Sequence, residues 1–130
     1  MKIGQVAKEY GLSADTLRYY EKTGLIDPVE KDQSGIRNYQ DKDLRRIRFI
    51  KIMREAGLSI QDIKQYVDLF HQGLITIDER KTILDERLKS LYQKRDALDK
   101  TINELESLLD DFDNTLLKRE NENYGPGRRK

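Results

Sequence analysis

Residues 76–119 constrain this chain most. No glycine or proline interrupts them, and apolar side chains recur at Leu84, Leu88, Leu91, Leu98, Ile102, Leu105, Leu109, Phe112 and Leu116. The spacings alternate four and three, with Arg95 filling one seam position. A heptad repeat sustained this long dictates a single helix, about 60 Å long, whose apolar seam must meet a partner. Thr76 and Glu79 have the T-x-x-E spacing of a capping box that would start it. The preceding residues need their apolar stripes for a core of their own, so a second copy of the same helix is the simplest partner. A homodimer is expected, with those nine residues as its dimerisation surface. Arg95 in the seam could set register by pairing with an acid across the interface. Alternatively its stem packs there while its head reaches water.

Composition agrees with a long exposed helix. Charged residues make up 38% of the 130, and mean hydropathy is −0.85. Net charge is only +1, so affinity for nucleic acid must come from local patches. Residues 1–76 carry 13 Lys+Arg against 11 Asp+Glu, and residues 77–119 carry 9 against 11. The basic excess therefore leans toward the N-terminal part.

That part opens with two short helical patterns in residues 3–26. Ile3, Val6, Ala7 and Tyr10 fall at i, i+3, i+4 and i+7, one apolar stripe. Gly11 suits the left-handed residue that ends a helix, Leu12 plugs the turn, and Ser13 can cap the next helix. Asp15 falls in that helix's first turn, where the helix dipole favours a negative charge. Ala14, Leu17 and Tyr20 share its inner face, whereas Thr16, Arg18, Tyr19 and Lys22 point outward. A compact helix pair offering Thr, Arg, Tyr and Lys suits a DNA major groove; a plain helical hairpin with a solvated face is the blander possibility.

Next come Leu25, Ile26 and Val29, broken by Pro28, then turn chemistry at Asp32-Gln33-Ser34-Gly35. Ile36, Asn38 and Gln40 alternate with Arg37 and Tyr39, a period-2 pattern that suits a strand. The expectation is a small β-hairpin wing, with Arg37 and Tyr39 on one face reaching the phosphate backbone. In a mere surface hairpin Tyr39 would pack on the adjacent helix instead. Asp41 is placed as the cap of a helix over residues 42–56, apolar on more than one side through Phe49, Ile50, Ile52 and Met53. Ser59 and Asp62 have capping-box spacing for a fourth helix over residues 60–70, with Ile60, Ile63, Val67 and Phe70 inward. Lys64 lies off that stripe, where it meets a phosphate or only solvent. Residues 120–130 are polar and expected to be disordered.

Several classes are set aside. There is no cysteine, so disulfides, thiolate metal sites and thiol switches are excluded. A lone His71, without a phosphate-binding glycine loop or nucleophile–base pair, gives no support to an enzyme. No cofactor or metal is expected. No apolar run approaches the roughly 18 residues of a membrane span, nor is there a signal-peptide pattern, so a cytoplasmic location is expected and no membrane partner.

Five blocks together are specific: Ile3-Gly4-Gln5-Val6-Ala7; Thr16-Leu17-Arg18-Tyr19-Tyr20-Glu21; Gly24-Leu25-Ile26; Arg37-Asn38-Tyr39; and Met53-Arg54-Glu55-Ala56-Gly57-Leu58-Ser59-Ile60. With the terminal heptads they make the chain resemble a MerR-family transcriptional regulator over nearly its whole length. The resemblance implies a mainly α fold: a winged helix-turn-helix head (residues 1–75), then a long antiparallel dimerisation coiled-coil helix (residues 76–119). It also implies that an activated dimer bends and untwists a promoter spacer so that RNA polymerase engages both hexamers, a form of indirect readout. Position by position, Thr16, Arg18, Tyr19, Arg37, Tyr39 and Lys64 would contact double-stranded DNA. The branch that looks most similar responds to aldehydes and nitrosative stress (AdhR- or NmlR-like). That branch carries a sensing cysteine where this chain has Ile52, so thiol chemistry cannot be the trigger here. An effector would instead be a small molecule near Ile52, Met53, Tyr66, Phe70 and Tyr92, unless those residues are simply core or the regulator has no effector. The competing function is an architectural or adaptor DNA-binding protein whose coiled coil binds a partner.

Overall fold

The computed structural model describes residues 1–116. The expected disordered tail and the last residues of the expected coiled coil lie outside them. The chain divides into two compact units, Met1–Asp85 and the residues from Glu86 onward. Five helices follow in order: α1 (Ile3–Tyr10), α2 (Ala14–Lys22), α3 (Asp41–Glu55), α4 (Ile60–His71) and α5 (Ile77–Asp111). A 3-10 turn, Leu74–Thr76, precedes α5, and a π-helical turn, Phe112–Leu116, follows it.

The first unit is built on the stripes that periodicity picked out. Val6 of α1, Leu17 of α2, Ile47 and Ile50 of α3, and Ile63 and Val67 of α4 are fully buried. Tyr20, Leu25, Ile26, Val29, Tyr39 and Leu58 complete the cluster, and Ile83 of α5 packs against it. Each such aliphatic side chain stabilises the fold by about 1.5–3 kcal/mol relative to exposure. The stops and starts are chemical. Gly11 takes φ 65° and its N–H reaches Ala7 O. The Ser13 hydroxyl accepts from Thr16 N at 3.0 Å. Ser59 Oγ accepts from Asp62 N at 3.0 Å while Asp62 Oδ2 accepts from Ser59 N at 3.4 Å, the reciprocal box the sequence suggests.

Two expectations need correction. Asp41 is not the cap of α3 but its first residue; Gln40 occupies the cap, and its N–H donates to Asp43 Oδ2 at 2.8 Å. Asp43 is thereby drawn inward and only 3% exposed. Thr76 does not open α5 as a capping-box residue. Its buried hydroxyl turns back toward the end of α4, 2.6 Å from Leu69 O and 2.9 Å from Gly73 O, and adds a donor to carbonyls that already accept from Gln72 N and Thr76 N.

The loop over residues 27–40, where a wing is expected, forms among the described residues a single antiparallel bridge, Lys31 to Arg37, and no strand. It folds back on itself through Asp32 N to Ile36 O at 2.8 Å and Asn38 N to Glu30 O at 2.7 Å, and Asp32 shapes its tip. Its carboxylate accepts from Ser34 N at 2.9 Å and Ile36 N at 3.0 Å, taking amides that a turn would otherwise leave to a ladder. Further along, Tyr39 N donates to Met1 O at 2.7 Å, so that segment pairs with the chain's first residue.

In α5 the heptad seam is largely uncovered: Leu88, Leu98, Ile102, Leu105 and Leu109 are 44–63% exposed, and no residue of the helix is buried. Its 35 residues span about 50 Å. Phe112–Leu116 then winds as a π turn, so the last two seam positions leave the regular α register. Arg95 reaches the neighbouring Asp96 at 3.3 Å, and its guanidinium lies 4.9 Å from the Tyr92 ring centroid.

Candidate nucleic-acid interface

The second helix is anchored from beneath and open above. Leu17 is fully buried and Tyr20 is 5% exposed, which fixes the helix on the core. Burial also pushes the Tyr20 hydroxyl above the usual phenol pKa, against a smaller opposing effect of Arg54. On the other side Tyr19 is half exposed, and Arg18 and Lys22 face solvent. Thr16 is half-buried, its hydroxyl 2.8 Å from that of Ser13. Arg18 leans on Asp15 at 2.9 Å. With both side chains well exposed, such a pair is worth at most about 1 kcal/mol, and a phosphate can replace the carboxylate.

Two cations from elsewhere are tied to the C-terminal end of α2. Arg37 Nε donates to Glu21 Oε1 at 2.8 Å, in a more sheltered pair with side chains 31% and 17% exposed. Lys64 of α4 is held by Asp68 at 2.5 Å and passes over Gly24. Gly24 has φ 79°, and a Cβ there would lie 3.2 Å from Lys64 Nζ. A glycine at this point supplies the left-handed turn and the room for the ammonium together. At the other end of α2, Lys51 of α3 comes close to the turn glycine Gly11. Nothing local in the sequence marks Lys51, one lysine on a charge-rich helix.

Tyr39 stands apart from the other expected DNA contacts. It is 2% exposed, its ring belongs to the core, and its hydroxyl is buried with no hydrogen-bonding protein group. Burial raises its pKa, with Arg37 pulling the other way. The ring therefore props the loop that carries Arg37.

Of the expected effector residues, Tyr66 and Phe70 line a cleft of about 380 Å³ within the first unit, together with Phe49, Arg46 and Arg80. Ile52, half exposed, and Met53 lie on α3 outside that lining, and Tyr92 belongs to the second unit. Arg46 and Arg80 had no signal in the sequence beyond being two arginines among many.

Residues 1–69 match the family model described as MerR HTH family regulatory protein, and residues 44–108 match that described as MerR, DNA binding. The HTH-type transcriptional regulator AdhR of Bacillus subtilis is 56% identical over 88 residues, which are 67% of this chain and 63% of AdhR. The match thus falls just short of two thirds of that relative's length. A MerR family transcriptional regulator from Listeria monocytogenes superposes with a TM-score of 0.79 at 35% identity, covering 94% of this chain and 92% of that one. HiNmlR, a MerR family regulator lacking the sensor domain and solved bound to promoter DNA, gives 0.74 at 30% identity, with 86% and 89% covered.

Proposed function

The chain belongs to the MerR family of helix-turn-helix transcriptional regulators, and from that membership we propose that it binds a promoter spacer as a homodimer and bends and untwists it. The observation that carries this is the outer face of α2, where Arg18 and Tyr19 are exposed on a helix locked to the core by Leu17 and Tyr20. Thr16, Arg18 and Tyr19 enter the major groove. Arg37 and Lys64 meet phosphates on either side, and Tyr39 holds the Arg37 loop in place as the support of a wing. Residues 1–75 form the head. The seam of α5 pairs antiparallel with its copy through Leu84, Leu88, Leu91, Leu98, Ile102, Leu105, Leu109, Phe112 and Leu116.

Deforming a spacer of this kind costs of order 1–6 kcal/mol, which phosphate contacts from two heads offset. RNA polymerase then engages the realigned promoter. The protein acts by binding rather than by catalysis, in the cytoplasm, and without a thiol trigger.

Selection from a random duplex pool, followed by footprinting, tests the proposal. A dyad-symmetric site with enhanced cleavage at its centre, and binding weakened by Arg18→Ala, is expected. Enrichment of no sequence, with affinity set by salt alone, would refute it and favour an architectural protein.

A further inference from the structure

The lining of the cleft beside α3 contains none of the proposed DNA contacts. The cleft lies among α3, α4 and the start of α5, with Phe49, Tyr66 and Phe70 as aromatic walls. Phe49 and Tyr66 stack with centroids 4.7 Å apart. Two guanidinium groups share the Phe70 ring, Arg46 at 4.6 Å and Arg80 at 5.3 Å from its centroid. Arg45 adds positive charge at the margin, as does Lys42, which is shared with Glu30 at 3.9 Å.

The acids of the cleft are already engaged. Asp27 pairs with His71 Nε2 at 3.2 Å, and Asp43 accepts from Gln40 N. Among the described residues no carboxylate comes within 4.0 Å of Arg46 or Arg80. Arg46 has one long bond, Nη1 to Leu25 O at 3.4 Å, which leaves its Nε and Nη2 donors open. Arg80 is better held, Nε to Thr76 Oγ1 at 3.1 Å and Nη2 to Gly73 O at 3.3 Å. Burial depresses the pKa of Arg46, with Asp27 opposing, yet a guanidinium stays charged at any physiological pH.

We propose that this cleft binds a small aromatic carboxylate, its ring against Phe70 and Tyr66 and its carboxylate forked onto Arg46 and Arg80. Among the described residues the three arginines of the cleft have no carboxylate partner within 4.0 Å, which calls for an anion. The aromatic walls call for a planar apolar body, and an arginine edge with two open donors suits a bidentate carboxylate. The volume lies at the lower end of the range for small-molecule sites, room for one or two fused rings. Binding as such does not depend on the DNA proposal. A failure here leaves that proposal standing, and the reverse holds too.

Titration of the full chain with 2-naphthoate, followed by calorimetry and by amide shifts, tests the site without DNA. Saturable binding is expected, with shifts centred on Tyr66, Phe70 and Arg80. Neutral 2-naphthalenemethanol should bind about tenfold more weakly, and Arg46→Gln and Arg80→Gln should each lose about tenfold, as for one charged hydrogen bond. Arg80 is only half-buried on the first turn of α5, and Arg80→Gln, with its melting temperature checked, serves even where Arg46→Gln loosens the fold. The proposal is overturned by shifts elsewhere, by equal affinity for acid and alcohol, or by unchanged affinity in Arg80→Gln.

Discussion

Replacing Gly24 by alanine should separate backbone strain from crowding at the end of α2. The residue holds φ 79°, where an L side chain brings its Cβ against the following carbonyl oxygen at a cost of about 1–2 kcal/mol. The added Cβ would also meet Lys64 Nζ at 3.2 Å and Cε at 3.4 Å. That contact is with the free end of a long side chain, whose displacement costs only about 0.5–1.5 kcal/mol even off-rotamer. Its ion pair with Asp68 is exposed, so giving it up adds little. Gly24→Ala should therefore lose roughly 1–2 kcal/mol, mostly through the backbone. In thermal unfolding that is a fall of about 4–8 °C per kcal/mol for a head of this size. Lys64→Ala alone should unfold within about 0.5 kcal/mol of the parent, as surface substitutions do. The double variant should keep nearly the whole Gly24→Ala loss. A loss that vanishes without Lys64 would show crowding to be the cause, and an unchanged melting temperature would refute the left-handed turn itself. On DNA, both single variants should lower the salt slope by about one phosphate contact.

Tyr39→Phe removes a buried hydroxyl that has no protein partner, so stability should hold or rise by about 1 kcal/mol in denaturant titration, with DNA affinity within twofold. A clear loss of either would mean that the hydroxyl has a partner. Thr76→Val takes one hydroxyl bond from Leu69 O, which keeps Gln72 N, and from Gly73 O, which keeps Thr76 N and Arg80 Nη2, and it takes the acceptor of Arg80 Nε, so it should cost about 0.5–1.5 kcal/mol by the same titration. The hydrogen bond from Lys2 first, and the amides of Ile36 and Ser34 besides, hold the Asp32 carboxyl below the usual range. Its support of the loop is then fully present above the ordinary aspartate pKa of about 3.9 and fades as pH falls through the lower folded value. An NMR titration of Asp32 should show that depressed midpoint, and Lys2→Ala should move it upward.

Local chemistry was the legible part. The Ser59–Asp62 box, the Ser13 cap and the Gly11 stop are decided within four residues, so spacing alone reveals them. The apolar stripes ending in Leu17, Ile47, Ile63 and Val67 follow equally from periodicity. What went astray depends on residues far apart in the chain. Thr76 reads as a helix cap until the carbonyl of Leu69 is seen beside it. Tyr39 alternates like a strand residue on an open face, but Met1 pairs with its backbone and the core takes its ring. For the candidate interface, the outward set on α2 was visible, whereas the tie from Arg37 to Glu21 and the passage of Lys64 over Gly24 are tertiary facts. Phe70 was noticed as an aromatic, but no pattern brings Arg46 and Arg80 to the same ring.

The uncovered seam of α5 also bears on gene dosage. Five of its apolar side chains are 44–63% exposed in the single chain, so the proposed dimer would gain its helix pairing only by mass action. While free chains outnumber pairs, the concentration of dimer rises as the square of the number of chains made. Doubling expression would then quadruple the species able to span both halves of a symmetric operator. A cell could thus silence such a regulator by letting its copy number fall through growth and division, with no inducer and no degradation of the bound form.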